Sequence, residues 1–188
     1  MPLEITKYGN PVLRQKGARI EKVTPEIEKL IKEMFETMYA AHGVGLAAQQ
    51  IGKALQLCVI DVSEVEDRPS TLELNGQPAD VKAFMPLALI NPEIKQLGKD
   101  AEGAEGCLSF PEMYSKITRP ESVEVKALNA KGQEISFKAG GLLSRTIQHE
   151  VDHLNGVLFI DRMQKADKEE LKPELDDLQR KTKAALKK

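Results

Sequence analysis

LLSRTIQHEVDHLN, residues 142–155, decides how this chain folds. Leu142, Leu143, Ile147, Val151 and Leu154 recur at the threes and fours of one helix, which Gly140 and Gly141 precede and Gly156 stops. The helix reads as apolar on most sides except where its histidines point, which places it at the centre of a domain with sheet wrapped round it. His149 and His153 share a face, roughly 5–6 Å apart, so both imidazoles can address a single ion. Glu150, one residue round, can reach a water on that ion without ligating it. Two histidines leave a catalytic metal site incomplete, and the third ligand selects the reaction class.

Working outward, 188 residues suit one domain, long enough to bury roughly 70% of the surface of the unfolded chain. The 27 basic and 29 acidic residues nearly cancel, which argues against DNA or any general nucleic-acid partner. The opening MPLEITKYGNPVLRQKG has no apolar signal region, and no uncharged apolar run approaches the ~20 residues of a membrane span. The expectation is a soluble cytoplasmic protein without a membrane partner. Two cysteines, Cys58 and Cys107, are too few for a disulfide framework.

Thr24 and Pro25 start a helix whose apolar face runs Ile27, Leu30, Ile31, Met34, Phe35, Met38, Tyr39 and ends near Gly43. HGVGLAAQQIG follows as a glycine-rich loop, and LQLCVIDV (55–62) reads as a strand. Residues 63–83, polar and containing Pro, Asn-Gly and several acids, read as a long exposed flap. PLALINPEI resumes as strand, and a polar stretch leads to EGCLSFPE (105–112). ESVEVKALNAKGQEISFKA (121–139) alternates as a hairpin turning at Asn129–Gly132. The final DKEELKPELDDLQRKTKAALKK reads as a charged surface helix. Together these give an α+β single domain, antiparallel or mixed sheets round a central metal-bearing helix, flanked by N- and C-terminal helices. Residues 1–165 form the catalytic part and 166–188 a charged tail of the same domain.

No histidine follows His153, and the downstream glutamates Glu169, Glu170 and Glu174 sit in the solvated tail, so a protease-type third ligand is poorly supplied. Cys107, between Gly106 and Leu108, is the better ligand: a thiolate binds Zn(II) or Fe(II) strongly, and a Cys-His-His set leaves a fourth position for water. Cys58, inside LQLCVIDV, reads as a small core residue.

GVGLAAQQ (43–50), EGCLS (105–109) and QHEVDHLNG (148–156) resemble, in order and spacing, the three signature motifs of the peptide deformylases, and YGNPVLR (8–14) is similar to that family's N-terminal segment. The resemblance covers about residues 1–163. It implies removal of the N-formyl group from the formyl-methionine of new polypeptides, with release of formate. It also implies one divalent metal held by Cys107, His149 and His153, Fe(II) natively, with Zn(II), Ni(II) or Co(II) able to occupy the site. Glu150 would carry the proton, and the Gln50 side-chain amide with the Leu108 N–H would face the oxyanion. Gly45 would exchange main-chain bonds with an extended substrate, Gly43 would permit its close approach, and Val44 would help line a methionine pocket. Glu105 and Arg119 match family residues and read equally as a structural ion pair or as substrate contacts.

Four positions depart from the pattern. Gln49 stands where relatives usually have proline. Arg145 and Thr146 stand where apolar residues are common, and Arg145 either turns away or modifies the pocket mouth. His42 reads as a solvent-facing helix-end residue rather than a fourth ligand. Two other functions fit parts of the chain: an HExxH zinc peptidase with its third ligand elsewhere, and an inactive homologue that only binds formylated peptides or ribosomes. Five basic and no acidic residues from Arg180 to Lys188 suggest contact with ribosomal RNA.

Overall fold

Thr24 caps α1 (Pro25–Ala40), its hydroxyl accepting the Ile27 N–H at 3.3 Å with Pro25 in the first position. The computed structural model describes residues 1–188. The helix ends at Ala40, ahead of Gly43: His42 turns left-handed (φ 57°) and the Gly43 N–H bonds back to the Met38 carbonyl at 2.9 Å. β1 (Gly45–Ala47), a 3-10 turn at Ala48–Ile51 and β2 (Leu57–Ile60) follow, so the glycine-rich stretch is strand and turn rather than open loop.

Residues 63–83 are more ordered than a flap. They contain β3 (Ser70–Leu74), β4 (Gln77–Pro78) and a short α2 (Val81–Phe84). Asn75 and Gly76, with φ of 52° and 76°, form the two-residue turn between β3 and β4, the Asn-Gly hairpin signature that a polar surrounding concealed. β5 (Leu87–Cys107) and β6 (Phe110–Leu128) then pair along a long ribbon, so the polar stretch before EGCLS is strand as well. The middle of β5, residues 93–104, has no buried position, which is why its sequence lacks the alternation that β6 shows. β7 (Glu134–Gly140) completes the expected hairpin, and α3 (Gly141–Leu154) and α4 (Lys165–Leu186) end the chain.

All strand pairings are antiparallel, in one seven-stranded sheet ordered β1-β2-β5-β6-β7-β3-β4. β2 shows why the centre of this sheet is apolar on both sides: Cys58 and Ile60 point into the core under α3, and Leu57 and Val59 into the core under α1. Cys58 is fully buried there, a core residue. A third cluster joins Leu13, Phe110, Ile117 and Phe159 to Leu175 of α4, which docks the charged C-terminal helix on the rest of the domain.

α3 is buried nearly all round, but not by apolar residues alone. Ser144, Arg145, Thr146, Gln148, His149 and Glu150 are buried with Leu143, Ile147 and Leu154. Gln148 shows how a polar side chain is accommodated: its amide donates to the Pro120 carbonyl (2.9 Å) and Ser144 Oγ (3.0 Å), and its oxygen accepts from Gln96 (2.9 Å). Periodicity cannot show such partners. Leu143, fully buried at the centre of this packing, gives a direct measure of it: Leu143→Ala is expected to lower unfolding free energy by about 2–5 kcal/mol in urea titration.

Candidate active site

Three elements converge on one point. α3 supplies His149, Glu150 and His153; β5 ends in Cys107; the 3-10 turn after β1 supplies Gln50. Cys107 pairs with Phe110 across the tight turn that joins β5 to β6, after a register shift at Gly106/Cys107. Its sulfur lies 3.3 Å from His153 Nε2, and donor atoms of Cys107, His149 and His153 all lie within 4.8 Å of one another. His149 Nδ1 donates to Glu105 Oε1 at 2.9 Å, which fixes the ring and leaves Nε2 as its donor to an ion.

The electrostatics suit a cation. Burial keeps His153 well below its ordinary pKa and therefore neutral, the ligating form. For His149 the burial effect is outweighed by Cys107 and Glu105, which raise it well above the usual value: negative groups converge where a divalent ion would answer them. Burial also lifts Glu150 to about 7, against the lowering effect of His149. His153 Nδ1 and Glu150 Oε2 are buried without a protein partner. One thiolate and two imidazoles, enclosed by carboxylates, fit Zn(II) or Fe(II).

Gln50 is oriented by its own turn. Its Oε1 accepts the Ala47 N–H at 2.9 Å, which directs Nε2 to Ser109 Oγ (3.2 Å) and Cys107 Sγ (3.5 Å). Its neighbour Gln49 faces away, donating to the carbonyls of Gln15 and Leu154 at 3.2 and 3.4 Å, so of the two glutamines only Gln50 faces the ligands. The Leu108 N–H, in the β5–β6 turn, enters no backbone hydrogen bond. Gly45 lies against Glu150: a Cβ there would come within 2.6 Å of Oε1, so only glycine lets β1 approach the carboxylate. Gly43 is similarly close to Leu108, with a Cβ distance of 2.6 Å to Cδ1. Gly43, Val44 and Gly45 line one wall of a cleft of about 600 Å³ whose other walls include Leu142, Thr146 and Leu108. β1 is the end strand of the sheet, so one of its edges carries no strand partner.

Glu105 and Arg119 form a buried ion pair, with Nε–Oε2 at 2.6 Å and Nη2–Oε1 at 2.9 Å, and side chains 5% and 3% exposed. Both are buried, and Glu105 bonds His149 while also lining the cleft. Arg119 also donates to Asp152 (2.9 Å), which pairs outward with Arg162 (3.0 Å). Arg145 turns into this same network, and exposed His42 sits at the cleft rim, outside the donor cluster. Sequence reading missed Ser109, Asp152 and Lys7, whose Nζ reaches the Leu108 carbonyl at 3.4 Å. Ser109 and Asp152 were within reach, since each sits inside a motif already singled out.

The sequence profile of the family described as polypeptide deformylase matches residues 2–169. The peptide deformylase of Methylacidiphilum infernorum is 44% identical over 180 residues, covering 96% of this chain and 94% of its own. A solved peptide deformylase from Legionella pneumophila superposes with a TM-score of 0.80 at 34% identity, covering 96% of each chain. One from Synechococcus elongatus, in complex with actinonin, superposes with a TM-score of 0.75 at 39% identity, covering 96% of this chain and 86% of that one.

Proposed function

The chain belongs to the polypeptide deformylase family, metallohydrolases that remove the N-formyl group from nascent peptides, and we propose how its own residues perform that reaction. Cys107, His149 and His153 hold the metal, natively Fe(II), with Zn(II), Ni(II) or Co(II) as substitutes. The observation that carries this reading is the convergence of those three side chains within 4.8 Å. The metal, when bound, supplies a Lewis acid and makes hydroxide available near neutral pH.

The substrate enters as an added strand, its main chain against the free edge of β1 at Gly45, with the formyl-methionine side chain in the cleft beside Val44, Leu142 and Thr146. Glu150 accepts the proton of the attacking water and delivers it to the departing amine, one carboxylate acting first as base and then as acid. The Gln50 Nε2 and Leu108 N–H donate to the oxygen of the formyl group as it gains charge. Gln50→Ala is expected to lower kcat about 10²- to 10³-fold with little change in metal content, read by formate release and metal analysis. Formyl-Met-Ala-Ser with anaerobically prepared, metal-loaded protein tests the whole reading: formate and a free amino terminus are the expected products, and no formate would overturn it.

No helix is long and apolar enough to cross a membrane. We place the reaction in the cytoplasm, where formylated chains leave the ribosome, and assign the basic end of α4 to ribosome contact. Arg180 and Lys181 already pair with Asp177, which leaves Lys183, Lys187 and Lys188 as the cations without an acidic partner. Truncation after Gln179 is expected to reduce co-sedimentation with ribosomes at low salt, and equal pelleting would end this assignment.

A further inference from the structure

Arg145, which lines the cleft, is the largest polar side chain of α3 to which the proposed reaction assigns no role. Its guanidinium is buried, with the side chain 10% exposed, and its bonds all run to the β5–β6 ribbon: Nη1 to Glu105 Oε2 (2.9 Å) and the Ile117 carbonyl (2.7 Å), Nη2 to the Ala101 carbonyl (2.7 Å). Arg145 lies one turn before His149 on the same helical face, and Glu105 lies two residues before Cys107. The arginine therefore ties the helix that carries two ligands to the strand that carries the third.

Glu105 is fully engaged by this arrangement. Oε1 accepts from Arg119 and His149, and Oε2 from Arg119 and Arg145. Gly103 makes room for it: a Cβ at that position would lie 2.7 Å from Arg145 Nε and 2.9 Å from Cζ. A free arginine would swing aside, but this one would have to give up three bonds inside the protein.

We propose that Arg145, seated on Gly103, is a positioning residue that sets the distance and angle between the Cys107 thiolate and the two histidines. The proposal rests on the assignment of those three residues as metal ligands. Because loss of an outer hydrogen-bond partner typically weakens metal binding about 10- to 100-fold, the same loss is expected here.

The test is Co(II) titration of the full-length protein, wild type against Arg145→Met, Gly103→Ala and the double variant. Each single substitution is expected to weaken Co(II) binding about 10- to 100-fold and to alter the visible absorption of the saturated protein, whose bands report donor geometry. The double variant should be no worse than Arg145→Met alone, since both remove one interaction. Arg145→Lys, which keeps a donor but loses the fork, should restore part of the affinity. A role in stability alone would lower the urea midpoint and leave affinity and spectrum unchanged, and that result would overturn the proposal, as would losses that multiply in the double variant. If Arg145→Met does not fold, Gly103→Ala decides, because it leaves every charge in place. Cys107→Ser reports separately on the ligand assignment: Co(II) binding equal to wild type would remove that foundation, whereas its loss leaves the Arg145 variants to speak for themselves.

Discussion

Cys107→Ser is expected to leave a folded protein that retains almost no metal and releases formate at background rate. The cysteine stands at the tip of the β5–β6 ribbon, partly exposed, so little core packing depends on its sulfur. A serine hydroxyl is shorter, harder and neutral at the working pH, and cannot replace a thiolate as a ligand. The affinity loss should exceed the roughly 10- to 100-fold that follows removal of a residue merely bonded to a ligand. Metal content after gel filtration and the urea midpoint, measured together, separate loss of the ion from loss of the fold. Full metal retention would instead favour a peptidase-type site with a third ligand elsewhere.

Glu150→Gln carries the second large effect. Glutamine has the same shape, so it can occupy the narrow space beside Gly45, where Glu150 Oε1 would be 2.6 Å from any added Cβ. It cannot shuttle a proton. The kcat for formate release should fall about 10²- to 10⁴-fold, the range associated with a lost general acid–base, with metal content unchanged. Activity within a few-fold of wild type would remove Glu150 from the reaction.

The chemistry of this site was more legible than its surroundings. His149, His153 and Glu150 stand out through helical spacing and Cys107 through a thiol in a short, glycine-flanked motif, whereas Gln50 stands out only through the resemblance of GVGLAAQQ to a family motif. What stayed hidden was the polar framework. Arg145 and Asp152 sit on a helix whose apolar periodicity suggests that polar residues face away from the core, yet both enter the buried network through partners 40 and 33 positions distant. Solvent exposure along the middle of β5 erased the alternation that would have marked it as strand. The β3–β4 hairpin was similarly masked, although Asn75-Gly76 stated its turn and Leu72, 2% exposed, its anchor in the core. The Glu105–Arg119 ion pair is one of two readings of charges fourteen residues apart, and its burial appears only when antiparallel pairing brings their strands side by side.

The proposed ligands and oxyanion donor come from residues 50, 107, 149 and 153, carried on three separate elements. An unfolded chain holds no such site, so folding and metal uptake are linked equilibria. Free ion at a hundred times its dissociation constant adds about 2.7 kcal/mol to the stability of the native state. Metal-free protein is then expected to unfold at a lower urea concentration than metal-loaded protein, by a margin that widens as free metal rises.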